Sequence, residues 1–207
     1  MVSARFALFM RAIRKATLLN SRSGLSAVVP RGIVIAYWLI PAEPAHCFFQ
    51  EAINDLARRY DAPLFEPHVT IHVGASHVDA AERALSKAAR ECQSITVKAL
   101  RIDHSDEFIK TLFVQFALNT NLQQLNAIVR SAAEDSADYK LDPHLSLLYK
   151  KITPVVRSEL ADSINVPFSE VVFDTLQAVR CISPMQNRAD VEAWRVITRR
   201  SLRSIGV

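Results

Sequence analysis

Residues 66–71 of this 207-residue chain read EPHVTI, and the same pattern returns at residues 142–147 as DPHLSL. Each copy places an acid and a proline before a histidine, and then adds an apolar residue and a hydroxyl residue. On a β-strand, residues i and i+2 point to the same face. The histidine and the hydroxyl of each copy are therefore predicted to share one face of a strand, with apolar residues on the opposite face.

The sequence around the two copies predicts a mixed α/β chain. Apolar runs and alternation predict strands at residues 33–40, 68–73, 95–102, 108–118, 144–149, 171–181 and 194–200. Helical spacing and capping residues predict helices at residues 44–60, 79–92, 120–134 and 153–163, with Asp79 and Thr153 as N-caps. The second half roughly repeats the element order of the first. We therefore expect an α+β fold of two similar lobes that close one central groove.

The N-terminal segment differs in charge from the rest of the chain. Six of the 25 Lys and Arg residues lie in residues 1–31, and the first acid is Glu43, so residues 32–207 carry 19 positive and 21 negative charges. We interpret residues 1–30 as an N-terminal extension, either disordered or targeting, and residues 31–207 as a single domain. An Arg-rich, acid-free leader is typical of organellar transit peptides. We expect a cytoplasmic protein, or an organellar one if this segment is a transit peptide.

Composition excludes several classes of protein. With 50% hydrophobic and 22% charged residues, the chain is globular and not disordered or fibrous. No window has the 18 or so apolar residues that span a bilayer, so we expect no membrane partner. With four glycines and neither a GxGxxG nor a GxxxxGK[ST] motif, the sequence argues against nucleotide triphosphate enzymes and Rossmann dehydrogenases. Three widely spaced cysteines argue against a disulfide framework and favour a reducing compartment.

The paired motifs suit chemistry at phosphorus. Two histidines with ordinary pKa values near 6.5 can act as an acid and a base at neutral pH. Thr70 and Ser146 can donate hydrogen bonds to phosphate oxygens. If the two strands lie together, one histidine can activate water while the other protonates the leaving oxygen. A strained cyclic phosphodiester is the natural substrate, and the reaction then requires no metal and no cofactor.

Three further side chains are candidates for contact with the substrate. Trp38 can stack on a base or ribose, although it also suits a core position. Tyr149 should face away from Ser146 in a regular strand, unless the end of the strand turns it back. Lys110, on the predicted strand 108–118, can attract phosphate, although solvated lysines are common.

His72 continues the predicted face of His68 and Thr70. At about 3.3 Å per residue it would lie about 13 Å from His68, so one metal ion could not bridge the two rings. We therefore expect no metal site at this strand.

At these residues the chain resembles the 2H phosphoesterases, whose paired motif is H-x-[T/S]-x. The stretches AYWLIP at 36–41, FEPHVT at 65–70 and PHLSLLY at 143–149 look like the cyclic phosphodiesterases of plants and yeast and their bacterial relatives. The resemblance covers about residues 32–200, specifically at the motifs and loosely between them. Two departures are His72 and the lack of a cysteine pair matching the disulfides of the plant members.

The resemblance implies a bilobal antiparallel fold and metal-independent hydrolysis of nucleoside 2′,3′-cyclic phosphates or of ADP-ribose 1″,2″-cyclic phosphate. It implies His68 and His144 as the catalytic pair, with Thr70 and Ser146 holding the phosphate. Trp38 and Tyr149 match positions that line the groove in this family. We favour His144 as the base and His68 as the acid, and we expect a monomer.

Two other hypotheses stay open at this point. The groove can belong to a non-catalytic module that binds nucleotides or RNA ends. It can also belong to a phosphodiesterase or ligase that acts on RNA ending in a 2′,3′-cyclic phosphate. The slightly negative body argues against a long RNA track, because such tracks need many Lys or Arg residues. The partners we expect are a small cyclic phosphate or nucleotide and, under the last hypothesis, RNA 3′ ends.

Overall fold

One antiparallel sheet organises the part of the chain that the computed structural model describes, residues 31–74, 77–134 and 139–204. The predicted extension at residues 1–30 lies outside the described residues, so its role stays a prediction. In the described part the strands are β1 (Gly32–Pro41), β2 (Val69–Gly74), β3 (Ile95–His104), β4 (Leu112–Phe116), β5 (His144–Leu148), β6 (Glu170–Ser183) and β7 (Arg195–Ser201).

Helices lie on the outside of this sheet. They are α1 (Ala45–Tyr60), α2 (Val78–Glu91), α3 (Thr120–Ala132), α4 (Pro154–Ser163), α5 (Arg188–Glu192) and a 3₁₀ helix at Phe108–Lys110. None of these described helices is both long and apolar enough to cross a bilayer. The sequence missed α5, because a helix of five residues is too short to show apolar periodicity.

The order of the strands is β1, β2, β5, β4, β3, β6, β7, and β6 also pairs with β1, so the sheet closes on itself. The 14-residue β6 makes this possible, because residues 170–173 pair with β3 while later residues pair with β1 and β7. The predicted mixed α/β antiparallel fold is confirmed. Its two lobes share one continuous sheet, joined through β6 and through the contact of β2 with β5.

Strand β1 is buried on both faces, which explains its unbroken apolar sequence. Ile35, Tyr37 and Leu39 belong to the main core. The alternate residues form a second cluster with β6, made by Val34, Ala36, Trp38, Ile40, Val179 and Cys181. This second face of β1 is the floor of the groove between the lobes.

A bulge in β2 sets the direction of His72. Thr70 pairs with Trp38 and His72 with Tyr37, so Ile71 is an extra residue without a partner in the register with β1. Ile71 and His72 are both fully buried, and the His72 ring centroid lies 5.9 Å from that of Tyr37 in the core. The prediction that His72 continues the face of Thr70 was wrong, because the bulge breaks the alternation of the strand.

Side chains cap α4 and α3, and one of these caps, Thr153, was predicted from the sequence. Thr153 caps α4 by accepting from the Val156 N–H, and Asn119 caps α3 by accepting from the Leu122 N–H. The prediction of Asp79 as the N-cap of α2 was wrong, because the helix begins earlier, with His77 at that position. Asp79 lies instead in the first turn, where a carboxylate interacts favourably with the helix dipole.

Candidate active site

A cavity of about 240 Å³ lies over the groove face of β1 and is lined by both motif histidines. Five of the seven predicted site residues line it: Trp38, His68, Thr70, His144 and Tyr149. The other two, Ser146 and Lys110, are not among the lining residues of this cavity.

The antiparallel pairing of β2 and β5 brings the two motifs together. Val69 pairs with Leu145, and both of these apolar side chains are buried in the main core. In this register His68 lies across from Ser146, and Thr70 lies across from His144. The groove faces of the two strands therefore place each histidine beside the hydroxyl of the other motif.

Each histidine is oriented by the backbone of its own motif. Nδ1 of His68 lies 2.7 Å from the carbonyl oxygen of Glu66, and Nδ1 of His144 lies 2.7 Å from that of Asp142. A carbonyl oxygen can only accept, so Nδ1 donates in both rings. The Nε2 atom of each ring is thereby left for chemistry, as an acceptor when the ring is neutral and as a donor when it is protonated.

The carboxylate of Glu66 anchors the segment that carries the first of these carbonyl groups. It accepts from Arg199, which also donates to the side-chain oxygen of Gln177 at 2.7 Å. His46 lies 3.7 Å from the same carboxylate. The acid of the first motif is therefore held by a cation, and that cation is fixed by a glutamine.

The second motif repeats the arrangement. The Asp142 carboxylate accepts from Lys110 at 2.7 Å and from the Gln115 amide at 3.1 Å. Partial burial acts to raise the pKa of Asp142, but the hydrogen bonds from Lys110 and Gln115 outweigh it and lower that pKa. Sequence reasoning noted the two acids but missed the partners of Glu66 and the amide of Gln115. The signal available was the acid repeated at the same place in both motifs.

Aromatic rings enclose His68. The ring of Trp38 stacks on it with centroids 3.7 Å apart, and Trp194 meets it edge-on at 5.7 Å. Burial is the main cause that lowers the pKa of His68, and the nearby His144 acts in the same direction, while the hydrogen bond to the Glu66 carbonyl opposes the change. Together these effects bring the pKa of His68 to about 4. His68 is therefore neutral at pH 7.

His144 stands in a more polar environment. Burial lowers the pKa of His144 below its ordinary value, although the hydrogen bond to the Asp142 carbonyl acts in the opposite direction. Lys110 lowers the same pKa, whereas the carboxylates of Asp142 and Glu107 raise it. The Asp142 carboxylate lies 4.0 Å from Nδ1, and the His144 side chain is 17% exposed.

Trp38 and Tyr149 both line the cavity, whereas the sequence did not decide whether either side chain faces it. Trp38 uses one face on His68 and meets Trp194 at 4.8 Å, so its stacking partner is a catalytic candidate. Tyr149 follows the last residue of β5 and turns back into the cavity, with its ring stacked on Phe65 at 4.1 Å. Burial raises the pKa of Tyr149, and a hydrogen bond with Ser146 partly opposes this.

Ser146 and Lys110 differ from their predicted settings. The buried Ser146 hydroxyl donates to the carbonyl oxygen of Ile109 at 2.8 Å. Lys110 was predicted on a strand, which was wrong, because the chain forms a 3₁₀ helix there before β4 begins. Its ammonium group lies 4.5 Å from the centroid of the Phe113 ring and pairs with Asp142, so it acts on the neighbourhood of His144.

Cysteine and metal-ligating residues complete the description of the site. Cys47, Cys92 and Cys181 are free thiols, and Cys181 lines the cavity. Burial raises the pKa of Cys181 to about 12, so this thiol is neutral. Within the three described ranges, no three His, Cys, Asp or Glu side chains are grouped to hold a metal ion.

Comparison with known proteins gives one family and one fold. Residues 33–202 match the family model described as cyclic phosphodiesterase-like protein. A protein named cyclic phosphodiesterase from Arabidopsis thaliana is 21% identical over 168 residues, which are 79% of this chain and 92% of that protein.

Two solved structures share the fold. LigT from E. coli in its apo form has a TM-score of 0.52 at 16% identity, covering 82% of this chain and 97% of that one. TT0787 from Thermus thermophilus has a TM-score of 0.56 at 14% identity, covering 84% and 100%. The fold predicted from the resemblance to the 2H phosphoesterases is confirmed by these similarities.

Proposed function

Because the chain belongs to the cyclic phosphodiesterase-like protein family, we propose that it hydrolyses cyclic phosphodiesters to monoesters with His68 and His144 and without a metal ion. The membership confirms the predicted 2H phosphoesterase resemblance and the predicted enzyme class, a phosphoric diester hydrolase. The proposed substrates are nucleoside 2′,3′-cyclic phosphates or ADP-ribose 1″,2″-cyclic phosphate.

One observation carries the proposal. His68 and His144 line one cavity, and each donates from Nδ1 to a carbonyl oxygen at 2.7 Å. Both Nε2 atoms are therefore available to exchange protons with a bound group. A pair of positioned imidazoles is the acid–base machinery that displacement at a phosphodiester requires.

We assign His68 as the general base and His144 as the general acid, the reverse of the roles favoured from the sequence. Enclosure by Trp38 and Trp194 keeps His68 neutral, so it can accept a proton from water. The carboxylates of Asp142 and Glu107 favour the imidazolium form of His144 against the burial that lowers its pKa, whereas burial and His144 both lower the pKa of His68. As the water oxygen bonds to phosphorus, the P–O bond of the ring breaks and His144 protonates the departing oxygen.

Thr70 is the first phosphate ligand in this proposal. Thr70 lines the same cavity as the two histidines, and its hydroxyl can donate to a non-bridging oxygen there. Ser146 contributes only if its hydroxyl turns from the Ile109 carbonyl toward the phosphate. In its protonated form, His144 supplies positive charge that offsets the phosphate anion.

A substrate panel tests this proposal. We expect turnover of adenosine 2′,3′-cyclic phosphate, or of ADP-ribose 1″,2″-cyclic phosphate, in the presence of EDTA. An RNA oligonucleotide ending in a 2′,3′-cyclic phosphate is expected to react more slowly than the small substrate, because residues 32–207 carry no excess of positive charge. Faster turnover of the RNA would support the RNA-end hypothesis, and tight binding without turnover of any substrate would contradict the proposed activity.

A further inference from the structure

The carboxylate of Asp142 lies close to both Lys110 and His144. Its Oδ2 atom accepts from the Lys110 ammonium group at 2.7 Å, and the same oxygen lies 4.0 Å from Nδ1 of His144. Its Oδ1 atom accepts from the Gln115 amide at 3.1 Å, and Gln115 is the strand partner of His144. One ion pair, fixed by an amide, therefore stands beside the ring of His144.

Lys110 is held beside His144 by the turn that carries it and by an aromatic ring. Its carbonyl oxygen accepts from the Ser105 N–H at 3.0 Å and from the Ser105 hydroxyl at 2.9 Å. Its ammonium group lies 4.5 Å from the centroid of the Phe113 ring, and that ring meets His144 edge-on with centroids 5.5 Å apart. Because Lys110 is outside the cavity lining, its contacts are with the protein around the site.

We propose that Lys110 and Asp142 form a positioning pair that sets how firmly His144 holds its proton. The inference deepens the proposed function, on which the role of His144 as general acid rests. Each member acts through His144 and not on the reacting atoms. The carboxylate stabilises the imidazolium form and the ammonium group opposes it, so the two effects partly offset each other. His144 can then hold a proton before the reaction and release it to the departing oxygen.

The other titratable groups around His144 do not replace this pair. After burial and the hydrogen bond to the Asp142 carbonyl, the charge of Lys110 lowers the pKa of His144, and the charges of Asp142 and Glu107 raise it. Glu107 is exposed, so solvent screens its charge. The cavity lining adds titratable side chains that are neutral at pH 7, namely His68, Tyr139, Tyr149 and Cys181.

The ion pair of the first motif has no such effect on its histidine. Arg199 holds Glu66 much as Lys110 holds Asp142. The pKa of His68 is set by burial, by the hydrogen bond to the Glu66 carbonyl and by the other histidine, and neither charged side chain contributes. The pair beside His144 is therefore the one that acts on a ring as well as on the chain.

Proton NMR of the histidine ring resonances over a pH series tests the inference without substrate, with His144→Ala giving the assignment. Lys110→Met should raise the pKa of His144 by about one pH unit, because the carboxylate loses its cation. Asp142→Asn should lower it by about the same amount, because the ammonium group loses its carboxylate. The double variant and Lys110→Arg, which keeps the charge, should both stay close to the wild-type value.

Lys87→Met is the matched control, since Lys87 forms an exposed ion pair with Glu91 outside the cavity lining. It should leave the pKa of His144 unchanged. Initial rates on adenosine 2′,3′-cyclic phosphate over the same pH series give a second readout. The alkaline limb of kcat/KM should move in the same direction as the pKa measured by NMR, because the general acid must be protonated.

The sign of the two changes decides between the outcomes. A pKa of His144 that stays fixed, or that moves the same way in Lys110→Met and Asp142→Asn, would overturn the positioning pair. A higher KM in Lys110→Met with an unmoved pKa would overturn it too, and would place the lysine on the phosphate. Opposite changes in a protein that hydrolyses no cyclic phosphate would contradict the proposed function and leave the pair standing. If Lys110→Met does not fold, the lower pKa expected in Asp142→Asn decides alone.

Discussion

His68 and His144 make the same hydrogen bond in different surroundings. Each Nδ1 donates to the carbonyl oxygen of the acid two residues earlier, which fixes the ring and leaves Nε2 available. Aromatic rings enclose His68, whereas His144 lies beside Asp142 and near Lys110. The shared hydrogen bond orients both rings, and the surroundings make one histidine the stronger candidate for the base and the other for the acid.

A sulfur-bridged substrate separates these two roles. In a 2′,3′-cyclic phosphate whose leaving oxygen is replaced by sulfur, the thiolate departs without a proton. His144→Ala should lose about 10²–10⁴ in rate on the oxygen substrate and recover most of it on the sulfur substrate. His68→Ala should lose a similar factor on both substrates, because water still needs a base.

Initial rates on the two substrates give the measurement, and His77→Ala is the control because His77 is exposed and outside the cavity lining. Recovery of His68→Ala in place of His144→Ala would restore the assignment that the sequence favoured.

The features of the site that depend on a single strand could be predicted from the sequence. The i, i+2 rule placed His68 and Thr70 on one face without knowledge of the neighbours. It failed at His72, because the bulge at Ile71 belongs to the pairing of β2 with β1. The stacking of Trp38 on His68 also depends on how two strands lie together, so no local pattern predicted it.

At the scale of elements, the cap of α3 lies apart from the strand pairing that builds the cavity. Asn119 accepts from the Leu122 N–H at 2.9 Å and donates to the Thr96 carbonyl oxygen at 3.0 Å. It therefore begins α3 and ties that helix to β3. Neither Asn119 nor any other residue of α3 lines the cavity with the two histidines. The stability of this helix should thus be separable from catalysis.

Asn119→Ala should reduce the free energy of unfolding by about 1–2 kcal/mol, because the helix loses its cap. The kcat on a cyclic mononucleotide should stay unchanged. Urea denaturation and initial rates provide the two measurements. Asn121→Ala is the matched control, since Asn121 is exposed in the first turn of the same helix. Equal losses of stability in the two variants would show that the cap is not what Asn119 contributes.

The elements were largely predictable because their signals are local. Thr153 and Pro154 marked the start of α4, and alternation marked β2. The predicted strand at residues 108–118 was wrong in its first part. The apolar side chains of the 3₁₀ helix and those of β4 both pack against the core. Hydrophobicity alone therefore does not distinguish a helix from a strand in this segment.

At the scale of the whole molecule, closure of the sheet creates the site. Strand β6 pairs with β3 at one end and with β1 and β7 at the other, so the two lobes are held around one groove. The excess of positive charge lies in the first 31 residues, and residues 32–207 have a slightly negative net charge. Under the proposed function, anion binding in the groove therefore depends on local histidines and hydroxyls and not on net charge.

The closed groove also makes stability depend on pH. The pKa of His68 is about 4 in the folded protein and near 6.5 when unfolded, so the unfolded state binds a proton first as the pH falls. The contribution of neutral His68 to the stability of the fold is therefore complete above pH 6.5 and decreases as the pH falls toward 4. His68 should therefore cost the fold about 2 kcal/mol between pH 7 and pH 5.

Urea denaturation at the two pH values measures this cost in the wild type and in His68→Gln, which cannot titrate. The variant should lose less stability than the wild type over the same interval. A loss of the same size in both proteins would show that His68 is not the group responsible.

Phosphorus NMR of adenosine 2′,3′-cyclic phosphate with the protein and EDTA measures whether the two histidines hydrolyse a cyclic phosphodiester without a metal ion. We expect the resonance of the cyclic phosphate to be replaced by that of a monoester, and His68→Ala and His144→Ala each to slow this conversion by about 10²–10⁴. Wild-type rates in either variant, or loss of wild-type activity on adding EDTA, would contradict a metal-independent mechanism based on two histidines.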